Sequence, residues 1–390
     1  MIPSETLRWE DSGETYSAKW RSENGIASHK KIQIVDDTLT ADIAYRLACE
    51  GTAMLYKGDF QNARQLLQAM VRRVDKPSKK SSRADRVAKE KIKSPLDTFN
   101  LHRLAQSQRA RILGMVLIPI NADHSISLRR APDVVQACLE AYGEQTEPYV
   151  ISLRELLGVI SAHEWRKKGV QVLTRDDEEI RIHPHYGVFS PVRGEYIELA
   201  LKAPLPATIQ QTSTAFDIGV GTGVLSVVLA LRGVQKIIST DLDERAIACA
   251  QENIEHLGLQ SQIDILRADL YPSGKAALIV CNPPWLPARP SSPLEHAVYD
   301  PESQMLKGFL NHLQYHLLDD GEGWLILSDL AEHLGLRSRD ELVLWIEQAN
   351  LKVLARIDTK PHHSKVFDKT DTLHAARSKE VTSLWRLALK

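Results

Sequence analysis

"FDIGVGTGVLS", Phe216 to Ser226, decides the fold. An apolar run ends at Asp217-Ile218, glycines follow at 219, 221 and 223, and apolar residues then resume. Glycine lets the backbone turn sharply and come close to a ligand, so the pattern predicts a strand, a tight turn and a helix. With Val at 224 the spacing is GxGxG. The departure from the GxGxxG of dinucleotide sites argues against a nicotinamide cofactor.

On either side of this turn the apolar runs "STAFDIGV", "KIISTDLD", "IDILRADL", "AALIVCNPP" and "GWLILSDL" alternate with helical segments. Such alternation implies a parallel sheet with right-handed crossovers, whose ligands sit at the carboxyl ends of the strands. Asp217 closes the first of these strands and Asp241 the next. A carboxylate at the second position suits both hydroxyls of a ribose. It also suits a helix cap, for which Asp243 is better placed.

At 390 residues and 43% hydrophobic, the chain is long enough for two domains with substantial cores. Its 49 basic and 50 acidic residues nearly cancel, so any attraction to nucleic acid or membrane must be local. Cys49, Cys138, Cys249 and Cys281 form no CxxC pair, which argues against a zinc site or a disulfide framework. Neither a signal pattern nor an apolar run of membrane-spanning length is visible, and the expectation is a soluble cytoplasmic protein.

Residues 1–150 are expected to be a mostly helical accessory domain. The first 38 residues carry few periodic signals. From Thr38 to Val74 apolar residues recur at helical spacing on both sides of Lys57-Gly58-Asp59, which reads as a helical hairpin with Asp59 capping the second helix. Residues 71–93 hold ten Lys or Arg against three Asp or Glu, either a solvated loop or a contact for RNA phosphates. "ILGMVLIPI" reads as a strand, "APDVVQACLEAYG" as a helix, and "ISLRELLGVISAHEWRKKG" as a helix closed by Gly169. The latter, with a hairpin in "VQVLTRDDEEIRIHPHYG", makes residues 151–185 a connector to a sheet domain over 186–390.

The ordered series "DIGVGTG", "TDLDERAIACAQENIEHLGL", "ADLYP" and "NPPW" resembles class I S-adenosylmethionine-dependent methyltransferases. It is similar in particular to the N-methyltransferases with an NPPY-type motif. These include release-factor glutamine methyltransferases, adenine-N6 enzymes and small-domain ribosomal RNA guanine-N2 enzymes. The resemblance covers roughly 186–330 and implies a Rossmann-like seven-stranded α/β sheet that binds S-adenosyl-L-methionine. It assigns Asp217, Gly219, Gly221 and Gly223 to the methionine and ribose part of the cofactor, Asp241 to the ribose hydroxyls and Asp269 to the adenine. "HYGVFSPVRGEYIELAL" is similar to the segment preceding the glycine turn in small-domain members, which adds Phe189 and Arg193.

Asn282, Pro283 and Trp285 are the implied catalytic residues. An amide or exocyclic base nitrogen has a delocalised lone pair and must become more tetrahedral to attack a methyl carbon. The Asn282 side-chain oxygen and the Pro283 carbonyl can each accept one N–H and gain as positive charge develops on nitrogen. Two prolines hold these acceptors rigidly. Trp285 offers a flat face for stacking. The alternative is a strand-ending turn with Trp285 in the core.

His183 and His185, or His362 and His363, lack accompanying ligand spacing, and no metal is expected. Ser190 and Ser226 lack a GxSxG context. The acceptor reading leans slightly to a nucleobase in RNA, through the basic run and the loop carrying Lys360, Lys365, Lys369, Arg377 and Lys379. The segment "EHAVYDPESQMLKGFLNHL" is similar to the stretch after NPPY in glutamine methyltransferases and favours a protein acceptor such as a release factor. A cofactor-binding regulatory protein without turnover is the reading from a different class.

Overall fold

The computed structural model describes residues 6–11, 13–76, 94–175, 178–192, 194–290, 293–362 and 366–390. Most of the basic run, including Lys79, Lys80 and Arg83, lies outside the described residues, as do Arg193, His363 and Lys365. The chain divides into two compact units, residues 1–93 with 100–164 and residues 94–99 with 165–390.

The first unit corrects the expectation of a mostly helical domain. It is built on a six-stranded mixed sheet of β1 (Thr6–Asp11), β2 (Glu14–Arg21), β3 (Ile32–Val35), β4 (Ala53–Tyr56), β5 (Val116–Ile120) and β6 (Tyr149–Ser152), in the order β1-β2-β6-β5-β4-β3. Strands β1 and β2 pair antiparallel and are largely exposed; the alternation of Leu7 with Trp9 and of Tyr16 with Ala18 and Trp20 is the signal that could have found them. The supposed helical hairpin is helix Ala41–Cys49, strand β4 and helix Phe60–Val74. The four residues of β4 are all buried, and so short an apolar run carries no period to separate strand from helix. Asp59 caps the second helix by accepting the Gln61 N–H at 2.9 Å.

In the second unit β7 (Val170–Arg175) and β8 (Glu178–Ile182) form the expected hairpin after Gly169, which ends the preceding helix at φ +67°. The main sheet holds β9 (Thr214–Ile218), β10 (Lys236–Asp241), β11 (Ile263–Arg267), β12 (Ala276–Cys281), β13 (Leu317–Ser328), β14 (Leu351–Thr359) and β15 (Thr382–Leu389). Their order is β11-β10-β9-β12-β13-β15-β14. Pairing is parallel from β11 to β13, and β15 runs antiparallel to both β13 and β14.

One core cluster includes Val228, Leu278 and Trp324, and another includes Phe216, Ile279 and Phe309. Alternate residues of β9 and β12 thus serve opposite faces, which is why these strands read as unbroken apolar runs. Strand order reverses between β9 and β12. The crevice for a ligand therefore lies beyond the carboxyl ends of β9, β10 and β12.

Candidate functional site

The turn after β9 needs its glycines. Gly219, Gly221 and Gly223 all have positive φ, at +79°, +53° and +84°. A Cβ on Gly223 would also sit 3.3 Å from the Ala250 Cβ, so the residue lets helix Val224–Leu231 lie close to helix Glu244–His256.

Asp217 is buried beneath this turn. Its Oδ2 accepts a 2.5 Å hydrogen bond from the Ser226 hydroxyl, which is itself 2.8 Å from the Ser239 hydroxyl. Asp217 Oδ1 has no partner among the described residues. Burial pushes the carboxyl pKa up to about 7, with the Ser226 hydrogen bond opposing and the Asp241 charge adding to the rise.

Asp241, at the end of β10, reaches back to the glycine turn. Its Oδ2 accepts the Gly221 N–H at 3.1 Å and its Oδ1 accepts the Asp243 N–H at 3.0 Å. Burial raises its pKa, against the pull of these donors. Asp243 caps the next helix through the Arg245 N–H at 2.9 Å, leaving Asp241 for the crevice.

A cavity of about 520 Å³ opens at these strand ends. Gly219, Asp241, Leu242 and Asp269 line one side, and Pro284, Tyr299, Asp300 and Met305 contribute to the rest. Asp217, Gly221 and Gly223 are not among the lining residues; Gly221 is tied to the wall by its N–H to Asp241 Oδ2. Phe189 is half-buried and is not among the lining residues.

Asn282 follows the last residue of β12, and Pro284 brings the tetrapeptide to the cavity wall. Asn282, Pro283 and Trp285 do not line the cavity themselves. Trp285 is half-buried against the core cluster of Phe216 and Leu306, and its indole N–H donates to Asn282 Oδ1 at 2.8 Å. Stacking alone does not foresee that hydrogen bond.

The arm after the motif supplies wall residues that sequence reasoning did not single out. Leu286 exchanges main-chain hydrogen bonds with Val298 and Asp300, at 3.1 and 2.8 Å, which folds the arm back toward the cavity. Asp300 is buried and accepts the main-chain N–H groups of Met305 and Leu306 at 3.0 and 3.1 Å. An Asp-Pro pair just before a helical pattern is the signal that could have found it.

Elsewhere the structure narrows the candidates. His185 Nε2 lies 2.7 Å from Glu252, and His183 Nδ1 lies 2.6 Å from the Arg166 carbonyl oxygen. No group of three metal-ligating side chains occurs among the described residues. Among the loop cations, Lys360, Lys369 and Lys379 are exposed. Arg377 is instead held 2.8 Å from Asp371, which takes it out of the set for phosphates. No helix among the described residues is long and apolar enough to cross a membrane.

The strand order, the glycine turn and the acidic crevice together define the class I S-adenosylmethionine-dependent methyltransferase fold. Within it, residues 197–283 match the family described as Ribosomal protein L11 methyltransferase (PrmA). A ribosomal protein L11 methyltransferase of Desulforamulus reducens is 31% identical over 80 residues, 20% of this chain and 26% of that protein. A protein of Methanocaldococcus jannaschii, provisionally named a protein N5-glutamine methyltransferase, is 30% identical over 112 residues, 28% of this chain and 53% of that one. The chain thus spans about a quarter to a half of the length of these curated relatives. Among solved structures, ribosomal protein L11 methylase from Lactobacillus delbrueckii subsp. bulgaricus aligns with a TM-score of 0.38 at 17% identity. That alignment covers 58% of this chain and 92% of that one.

Proposed function

We propose that this protein transfers a methyl group from S-adenosylmethionine to a planar amine or amide nitrogen. The observation that carries the reading is the meeting of an acid-lined cavity with the Asn-Pro-Pro-Trp turn at Pro284.

The residues present fit the cofactor. Asp241 stands at the cavity wall with both oxygens oriented by main-chain N–H groups, so its remaining lone pairs suit ribose hydroxyls. Gly219 lets Met305 pack against the turn, since a Cβ there would come 2.7 Å from the Met305 Cε. Asp269 and Leu242 offer an acceptor and an apolar surface for a base. When bound, the cofactor supplies an electrophilic methyl group on a sulfonium.

The remaining work falls to the chain. Asn282 Oδ1 and the Pro283 carbonyl accept the N–H groups of the acceptor, turn its lone pair toward the methyl carbon and are strengthened as the nitrogen gains charge. No strong base is needed, because the methylated nitrogen is acidic enough to lose its proton to water.

For the acceptor, the names of the relatives move the reading toward a protein, either a ribosomal protein or a glutamine side chain. A nucleobase in RNA is the second reading, favoured by the exposed Lys360, Lys369 and Lys379 on the loop between β14 and β15. Transfer of radiolabelled methyl groups to RNA and protein fractions from cells lacking the gene tests both. Label in neither fraction, with cofactor bound, would leave a cofactor-binding regulatory protein.

A further inference from the structure

The indole N–H of Trp285 is a donor that cannot accept, so its 2.8 Å contact with Asn282 fixes which end of the carboxamide faces the ring. The two ends of a carboxamide have nearly the same shape. Without an outside partner, an asparagine can present its NH2 group where an acceptor N–H requires an oxygen. Oδ1 carries two lone pairs; the indole occupies one and the second stays available.

The donor is itself held in place. Trp285 packs against the core cluster that contains Phe216, Cys281 and Leu306, so its ring position is set by the sheet and not by Asn282. Asn282 and Trp285 are three residues apart, and Pro283 and Pro284 between them restrict the backbone. Packing sets the indole, and the indole sets the amide.

We propose that Trp285 is a positioning residue for the methyl acceptor, locking Asn282 with Oδ1 toward the acceptor N–H, an inference that rests on the N-methyltransfer reading. The donor, more than the flat face, is then what the tryptophan contributes. Phenylalanine at 285 keeps a face and loses the lock.

The test replaces Trp285 by 3-benzothienylalanine, which substitutes sulfur for the N–H and keeps the two-ring shape. Single-turnover transfer to the labelled cell fractions, at saturating cofactor, is expected to slow by about tenfold, as for loss of one hydrogen bond at a reacting group. Cofactor affinity and acceptor KM should stay within about twofold. In an Asn282→Ala background the same replacement should change nothing further, because the lock has lost its target. Wild-type transfer by the isostere, or an equal loss in both backgrounds, overturns the positioning role.

A readout independent of turnover is the nitrogen-15 spectrum of the indoles, with the Trp285 signal assigned by its loss in Trp285→Phe. In Asn282→Ala that N–H should shift and exchange faster with water; an unmoved signal overturns the lock. If the signal moves but wild-type protein labels neither fraction, the N-methyltransfer reading falls, and the positioning role with it.

Discussion

Ser226 donates to Asp217 Oδ2 at 2.5 Å while Asp217 Oδ1 has no partner among the described residues, so half of a buried carboxyl is left without compensation. Burial accordingly raises the pKa to about 7. In the unfolded chain the same group titrates near the ordinary carboxylate value of about 3.9. Its stabilising effect is therefore full below about pH 4 and is lost as pH rises toward about 7, with an upper bound of about 4 kcal/mol. Asp217→Asn should remove this dependence and leave the fold at least as stable as wild type at alkaline pH. Urea midpoints of both proteins without cofactor, at about pH 4 and above about pH 7, check the sign. A wild-type protein that gained stability over that window relative to the variant would contradict it.

Main-chain N–H groups orient both oxygens of Asp241. Asp241→Ala should weaken S-adenosylmethionine binding by about 1–3 kcal/mol, the usual cost of removing a buried hydrogen-bonding partner. Calorimetry showing unchanged affinity would take Asp241 out of the site.

Asn282 is assigned to the transition state. Asn282→Ala should lower the single-turnover rate by about a hundredfold or more while cofactor affinity stays near normal. Circular dichroism must show the variant folded. Unimpaired turnover would make Asn-Pro-Pro-Trp a turn and nothing more.

The glycine turn predicts a graded response. Gly221→Ala meets no atom within 4 Å and carries only the left-handed backbone penalty, about 1–2 kcal/mol. Gly223→Ala carries that penalty and a 3.3 Å approach to Ala250, and should melt at a lower temperature than Gly221→Ala. Thermal unfolding of the two variants side by side decides it.

The acceptor question has a charge test. If RNA is the acceptor, changing Lys360, Lys369 and Lys379 to glutamine should weaken RNA binding and flatten its salt dependence. Filter binding at several salt concentrations reads both, and no change in either leaves the protein acceptor.

How much could be read in the sequence depends on how strongly each residue's environment constrains it. The sheet of the second unit was legible because its central strands are buried on both faces and bounded by turns, as with Thr214–Ile218 before Gly219 and Ala276–Cys281 before Asn282. The first unit's sheet was not, because β1 and β2 expose most of their side chains and β4 is four residues long. Asp241 and the glycines were marked by spacing along one chain segment. The Asp300 wall residue and the Trp285–Asn282 hydrogen bond depend on how the arm folds back and how a ring packs, which no spacing encodes.

Strand β15 lies between β13 and β14 although it comes after both in the chain. Strand β14 pairs with β15 alone, so through synthesis it has no neighbour until residues 382–389 leave the ribosome. Up to that moment β13 also presents an open edge, beside a crevice whose walls, from Gly219 to Met305, have all been made. The glycine turn is made well before the sheet is complete, and the interval is when an unpaired edge is exposed to aggregation.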